Sequence, residues 1–285
     1  MQTLGVIGGS GLYQIDHLTE VRQHRAETPF GPPSDALTIG RLGATEVVFL
    51  PRHGRGHRLL PSELPFRANI WALKQQGVDA ILALSAVGSL REDIHPGDLV
   101  VVDQFIDRTR HRPDTFFGEG LVAHVHFADP VCGVLAGLVE TAARATGATV
   151  HRGGTYVCME GPQFSTRAES HLYRIWGASV IGMTNLQEAK LAREAGMCYS
   201  TLALATDYDC WHESEADVSI DAVLAVLDKN VDTAKACVRN LAQELPHATT
   251  CACARSLEGA ILTAPEAIPA ELKRKLALIL PEQYR

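Results

Sequence analysis

The chain has 285 residues, a formal net charge of −7, 46% hydrophobic and 21% charged residues, an ordinary soluble globular balance with room for one large domain or two small ones. An acidic total without a basic block argues against nucleic acid as a partner, and apolar runs such as "VVFL" and "AILAL" fall far short of the roughly 20 residues of a membrane span. The first residues carry neither a basic leader nor a signal-type apolar stretch, so a cytoplasmic protein is expected.

In chain order, strand-like apolar runs alternate with helical patterns. "TLGVIGG" reads as a strand running into a glycine turn, and "TEVVFLPRHG" as a strand ending in a loop. "RANIWALKQQG" has helical spacing and a terminal Gly77. "VDAILALSAVGS" is a buried strand entering a small-residue turn, and "GDLVVVDQFIDRT" reads as one strand. "DPVCGVLAGLVETAARATG" is a helix with an Asp129-Pro130 start and a Gly147 stop. "ATVHRGGTYVCMEGPQFST" is a strand region ending at Gly161-Pro162. A helix "RAESHLYRIWGA", a short strand "SVIGMT" and a helix "NLQEAKLAREAG" follow. The run into "ALATDYDCWH" is a strand, "SIDAVLAVLDKNVDTAKACVRNLAQEL" a long helix, and "IPAELKRKLALIL" a closing helix. This alternation predicts an α/β protein with a mostly buried sheet. No linker, repeat or low-complexity segment divides it, so a single domain over 1–285 is expected.

Several strands end in small or basic residues at their C-terminal ends, where open α/β sheets place ligands. "VIGGSG" offers glycine-turn amides and the Ser10 hydroxyl to an anion, although a plain strand-to-loop turn has the same look. "PRHGRGH" offers Arg52, a planar donor suited to phosphate oxygens, with His53 and His57; a solvated basic loop is the alternative. Ser85 and Thr184 are hydroxyls directly after apolar runs, where local backbone caps also occur. Together these residues can cradle one oxyanion.

"ALATDYDCWH" ends a buried run with Asp207 and Asp209 around a tyrosine. If the strand continues that far, both acids point to one face, where they repel and burial raises the cost of ionising either. A ligand that accepts or donates hydrogen bonds would compensate them.

These segments, with "IGGSGLY", "ANIWALK", "SAVGSLRE", "PGDLVVVDQFIDRT" and "EGPQFSTRAES", resemble the trimeric purine nucleoside phosphorylase family and, within it, the 5'-methylthioadenosine phosphorylases. The resemblance runs to about residue 225. It implies a single nucleoside phosphorylase domain, with a twisted, mixed central sheet flanked by helices. It further implies phosphorolysis of methylthioadenosine to adenine and 5-methylthioribose 1-phosphate, with inorganic phosphate as co-substrate and neither metal nor organic cofactor. Phosphate would be held by Ser10, Arg52, His53, Ser85, the Ala86 backbone and Thr184, Ser10 and Ser85 keeping the hydroxyl of the threonines common in relatives. Met183 would lie under the ribose, Phe164 and Ser165 would border the purine, and Asp207 and Asp209 would face its N7 and 6-amino edge. Ile220, Val223 and Leu224 would line a 5' pocket, though their helical spacing equally fits core packing. The resemblance also implies a homotrimer in which His124 reaches a neighbour's 5' pocket, a region lined by His57; a surface histidine pair, His124 with His126, is the alternative.

Asp207 as general acid to N7 would make adenine a better leaving group. A phosphorylase of broader specificity that also takes adenosine, or one for 6-oxopurines such as methylthioinosine or inosine and guanosine, is the enzymatic rival, and the two acids argue against the 6-oxopurine form because a carboxylate repels a carbonyl oxygen. A non-catalytic metabolite-binding regulator is the rival of another class. Of seven cysteines, most are expected to be small buried apolar residues. Cys251 and Cys253 flank one alanine, too close for ordinary zinc-ligand spacing on their own. They read as reduced thiols in a packed segment, with a strained bridge between them or a pairing with Cys198 as alternatives.

Overall fold

The computed structural model describes residues 2–9, 15–212, 220–245 and 251–285, with 220–229 described by backbone alone. Among these, eleven strands form one mixed sheet with helices on both faces. The centre is β1 (Thr3–Gly8), flanked by β4 (Thr45–Pro51) and β5 (Ala80–Ser89), both parallel to it. These strands are apolar almost throughout because helices cover both faces. Beyond β4 lie two antiparallel strands absent from the sequence reading, β3 (Leu37–Leu42) and β2 (Thr19–His24). Neither advertises itself. β3 contains Gly40, against which Leu18 packs so closely that an added Cβ would sit 2.8 Å from it, and "TEVRQH" of β2 is a polar edge strand of the kind that resists further pairing.

The ten residues of β5 are the hinge of the architecture. One of its edges pairs first with β1 and then, from Gly88, with the antiparallel β10 (Val180–Gly182). The other edge pairs throughout with β11 (Cys198–Asp207). The sheet therefore forks. One arm continues through β10 to β9 (Thr155–Met159) and β7 (Gln104–Arg108), the other through β11 to β6 (Leu99–Val102) and β8 (Val150–Arg152). "GDLVVVDQFIDRT" is two strands rather than one, β6 and β7, and Asp103 alone carries the chain between arms. "ATVHRGGTYVCM" likewise splits into β8 and β9 at Gly153 and Gly154. The two crossings are stitched together: Gln104 N–H donates to the Gly154 carbonyl and Gly154 N–H to Asp103 Oδ1 at 3.0 Å. Gly154, at φ +145°, passes so near Ser179 that a Cβ would lie 3.1 Å from it. Between the arms sits an apolar filling that includes Val87, Val100, Tyr156, Leu186 and Ala203.

On one face of the sheet, α1 (Phe66–Gln75), α4 (Asn185–Glu194) and α6 (Ala270–Leu276) share a core with β1, β3, β4 and β5. On the other, α2 (Gly133–Arg144) packs with α5 (Ile220–Glu244). α2 begins four residues later than Asp129-Pro130 suggests; its N-cap is Cys132, whose Sγ accepts the Leu135 N–H. α3 (Arg167–Ile175) starts with a reciprocal Thr166–Glu169 capping box, which satisfies two of the helix's orphan donors. No helix among the described residues is long and apolar enough to cross a membrane.

Glu194, closing α4, accepts Thr115 Oγ1 and Phe116 N–H, both at 2.7 Å, yet burial pushes its carboxyl up from the ordinary 4.5 to about 7. A folded value above the unfolded one means that its stabilisation is complete below pH 4.5 and is lost as pH rises through about 7. Wild-type stability to urea is expected to fall over that interval by on the order of 3 kcal/mol from this group, and Glu194→Gln is expected to flatten the slope. An equal slope in both proteins would refute the assignment.

Candidate active site

The fork brings the C-terminal ends of β5, β10 and β11 to one place, and polar side chains gather there. Arg52, the first residue after β4, is buried. Its Nε and Nη2 donate to Glu188 of α4 at 2.6 and 3.1 Å, and Nη1 donates to the Leu84 carbonyl at 2.8 Å. A guanidinium has five N–H donors, so one remains on each Nη. Burial opposes the charge of Arg52, and the Glu188 carboxylate restores it. Tyr199 donates to Glu188 at 3.0 Å, and Asn185 donates to Thr201 at 2.9 Å. This network fixes α4 on the sheet and thereby fixes Thr184, its N-cap.

One residue along β5 from Leu84, the Ser85 hydroxyl lies 3.3 Å from that of Tyr156, which lies against Gly182, two residues before Thr184. Tyr156 thus touches two residues, Ser85 and Gly182, that are far apart in sequence. Burial drives the Tyr156 hydroxyl well above its ordinary range, so it remains a neutral hydrogen-bonding group. Ala86 follows, half-buried, still within β5; the small-residue turn expected here is instead strand as far as Ser89. His53 places Nδ1 at 2.8 Å from the Leu59 carbonyl, which can only accept. Burial, helped by Arg52 and His57, pulls its pKa down to about 4, so the ring is neutral with its Nε2 lone pair available. His57 stacks on it, centroids 4.3 Å apart. Ser10 lies outside the described residues.

Three residues further along β5, Gly88 faces the two acids. Asp207 ends β11 after a register shift. Its Oδ2 accepts Thr206 Oγ1 at 2.6 Å and its Oδ1 accepts the Asp209 N–H at 2.8 Å. The strand does not continue to Asp209, whose φ is +52°, so the alternation that would put both acids on one face fails. The tight turn performs the convergence instead. A Cβ on Gly88 would lie 2.9 Å from Asp207 Oδ1 and 3.3 Å from Asp209 Cβ. Burial raises the pKa of Asp207 and the Asp209 charge adds to it; burial also raises that of Asp209, against the hydroxyls of Ser170 and Ser165 and the Cys210 N–H. Gly88→Ala is expected to displace both carboxyls and lower turnover at least about 10-fold while costing roughly 1–3 kcal/mol of stability as overpacking. Wild-type kinetics in the folded variant would show that the contact is slack.

The flanking loops converge on the same place. Ser165 Oγ meets Met159 Sδ at 3.6 Å, Cys210 Sγ meets the Ser165 carbonyl at 3.3 Å, and Phe164 is half exposed beside them. The Met183 carbonyl accepts Arg112 Nη1 at 2.6 Å, and Arg112 Nη2 donates to the Glu160 carbonyl. Arg112, itself buried, thereby ties the "MEGPQF" loop to the "GMTN" turn. At Gly161 (φ +66°) the Met183 side chain occupies the space a Cβ would need. His124 is not in this constellation: it is exposed, and its N–H donates to the Ala260 carbonyl. Ile220, Val223 and Leu224 are in the first turns of α5, and their side chains lie outside the described residues. Tyr156, Glu188, Asn185, Tyr199 and Arg112 escaped the sequence reading. Glu188 carried a usable signal, since it stands four residues after Thr184 on the same helical face.

Residues 3–243 match the phosphorylase superfamily. The chain is 59% identical to the S-methyl-5'-thioadenosine phosphorylase of Geobacter sulfurreducens over 98% of both chains. It is 55% identical to the protein of that name from Koribacter versatilis over 99% of this chain and 96% of the other. Among solved structures it is similar to a methylthioadenosine phosphorylase from an antarctic soil metagenomic library, with a TM-score of 0.92 and 50% identity over 98% of this chain and 99% of that one. It is also similar to the methylthioadenosine phosphorylase of Schistosoma mansoni in complex with adenine, with a TM-score of 0.84 and 35% identity over 98% of each. With this forked sheet and near full-length similarity, the chain belongs to the phosphorylase superfamily, in its methylthioadenosine phosphorylase branch.

Proposed function

We propose that the protein, acting as one domain, catalyses phosphorolysis of 5'-methylthioadenosine to adenine and 5-methylthioribose 1-phosphate. The observation that carries this reading is the spacing along β5: the Ser85 hydroxyl, next to the Leu84 carbonyl that holds Arg52, and, three residues on, Asp207 and Asp209 gathered at Gly88. Phosphate is assigned to the two free Arg52 N–H groups, the Ser85 and Thr184 hydroxyls, the Ala86 backbone, His53 and Ser10. Its negative charge favours protonation of His53, so binding draws that imidazole from neutral toward charged. The ribose lies over Met183, and the purine lies between Phe164, Ser165 and the acid pair.

Phosphate oxygen attacks C1' as the bond from C1' to N9 breaks, and the cationic character that develops there is stabilised by the phosphate itself. Electrons returning to the base raise the basicity of N7. Asp207, kept protonated by burial and by its neighbour, gives N7 its proton and is reprotonated from solvent after adenine leaves. Asp209 accepts from the 6-amino group. The reaction transfers no electrons and needs neither organic cofactor nor metal. Release of adenine from methylthioadenosine is the test: it should require inorganic phosphate and yield the sugar 1-phosphate in equal amount. Phosphate-independent release, or binding without turnover, would defeat this reading.

The assembly is proposed as a homotrimer working in the cytoplasm. Two apolar patches support it. Leu172 and Ile175 of α3 and its C-cap Trp176 are exposed beside the purine side of the site, and Val122 and Leu262 are exposed on the strip that carries His124. Two different patches fit a head-to-tail ring, in which one patch of each copy covers the other patch of the next. His124 then approaches the 5' pocket of its neighbour, near Ile220, Val223 and Leu224 and near His57. His124→Ala is expected to raise KM for methylthioadenosine about 10-fold with little effect on adenosine. An active monomer in sedimentation would overturn the shared pocket.

A further inference from the structure

We propose that Cys132, Cys198, Cys251 and Cys253 form a tetrathiolate site for a divalent zinc-class ion at the end of the sheet remote from the substrate. Their four Sγ atoms lie within 4.8 Å of one another. A tetrahedral ion with metal–sulfur bonds of about 2.3 Å needs sulfurs about 3.8 Å apart; the Cys198 and Cys251 sulfurs, now 3.2 Å apart, would spread to that distance, and pairs as far apart as 4.8 Å would close to it. The ligands come from three separate parts of the chain. Cys132 caps α2, Cys198 opens β11, and Cys251 and Cys253 begin the C-terminal segment.

The Cys-Ala-Cys spacing looked too tight for a metal in sequence. The structure resolves the difficulty through Ala252, whose helical φ of −81° and ψ of −4° wraps the chain into a 3-10 turn, so that both sulfurs serve one point. The other two corners come from elements already fixed by the core, for Cys132 and Cys198 are buried in the apolar layer between α2, α5 and the sheet. The Leu135 N–H at 3.5 Å from Cys132 Sγ is the kind of donor that stabilises a bound thiolate, and the N-terminus of a twelve-residue helix favours negative charge there. Soft thiolates in a closed, four-sulfur arrangement select zinc over hard cations. On binding, each thiol gives its proton to solvent.

The site is a staple, separate from the catalytic centre. Cys198 and Asp207 are the two ends of β11, roughly 30 Å apart at the ordinary strand rise. The ion would pin the C-terminal segment where it crosses the turn between α4 and β11. There Gly196 (φ +65°) lies against Ala254, and Ser256 donates to the Arg193 carbonyl at 2.5 Å.

The test uses the full chain, purified with reductant, equilibrated with zinc chloride and desalted before elemental analysis. One zinc per chain is expected, and cobalt in its place should give the ligand-field and sulfur-to-metal charge-transfer bands of a tetrahedral tetrathiolate. The double variant Cys251→Ser, Cys253→Ser should lose at least about 10-fold in zinc affinity and keep its phosphorolytic rate. Should it fail to fold, the wild type still decides the matter. Thiol titration in denaturant and chelator, without reductant, should find all seven cysteines free, and loading the native protein with zinc should protect the half-buried Cys251 and Cys253, which chelator should expose again. No bound zinc, zinc unaffected by the double substitution, or fewer than seven free thiols, which would mean a disulfide, each overturns the proposal.

Discussion

Asp207→Asn is expected to lower kcat for methylthioadenosine by about 100-fold or more and to move KM little. The substitution isolates the proton because the surroundings accept the amide. Its carbonyl can take the Asp209 N–H that Oδ1 now accepts. Its amide nitrogen can donate to the Thr206 hydroxyl, which keeps the Val87 carbonyl, 3.2 Å away, as its own acceptor. The amide can hydrogen-bond N7 but has no proton to transfer, so binding survives and turnover does not. The same role sets a pH limb. Because the Asp207 carboxyl titrates above its ordinary range, wild-type kcat is expected to fall as pH rises through that elevated value, and the limb should vanish in Asp207→Asn. A variant with near wild-type kcat would remove Asp207 as the acid.

Glu188→Ala is expected to be the most destabilising single change near the site, at about 3–5 kcal/mol, because it strands the buried Arg52 guanidinium without its counter-ion. The Tyr199 hydroxyl loses its acceptor at 3.0 Å but keeps the Asn185 carbonyl at 3.2 Å, so the cost falls mainly on Arg52. Urea denaturation should show a lower midpoint with unchanged slope, and Glu188→Gln, which keeps one acceptor, should cost less. Phosphate distinguishes a structural role from a positioning one. If Arg52 contributes to the anion site, added phosphate neutralises the stranded charge and should stabilise Glu188→Ala more than it stabilises the wild type. A loss below about 1 kcal/mol, or equal phosphate stabilisation of both proteins, would show that the pair is incidental.

The parts legible in sequence were those where local chemistry and tertiary role coincide. "AILALS" is apolar on both faces because the strand is central, and Gly77 and Gly147 end their helices with φ of +75° and +83°. Arg52, Ser85 and Thr184 stood out because each follows an apolar strand. The fork itself was illegible. Whether "LVVVDQFIDR" is one strand or two depends on Gly154, fifty residues away, supplying a partner for Gln104. Tyr156 and Arg112 were hidden for a related reason. Within "TYVCM" a tyrosine reads as strand packing, and only the fold shows its hydroxyl between Ser85 and Gly182. The geometry of Asp209 was misjudged because alternation assumes extended backbone, and a residue at φ +52° obeys a different rule.

The continuity of β5 acts as a ruler. Ser85 and Gly88 are separated by three residues of one strand, so on the proposed assignment the nucleophile's cradle and the acid's seat are set roughly 10 Å apart by backbone pitch. Around Ser85 and Gly88 the strand is hydrogen-bonded along β11 and, at Gly88, to β10 as well. It cannot slip by one residue without reversing every side chain, so the separation does not adapt to the ligand. A purine nucleoside spans it because its five-membered ring carries N7 beyond the glycosidic bond. A pyrimidine nucleoside presents ring carbons, and no basic nitrogen, on that side of its glycosidic bond, so its leaving group would depart without a proton from Asp207. On that assignment the Asp207 proton serves purines and not pyrimidines, and the place it is offered from is set by strand pitch rather than by an adaptable loop.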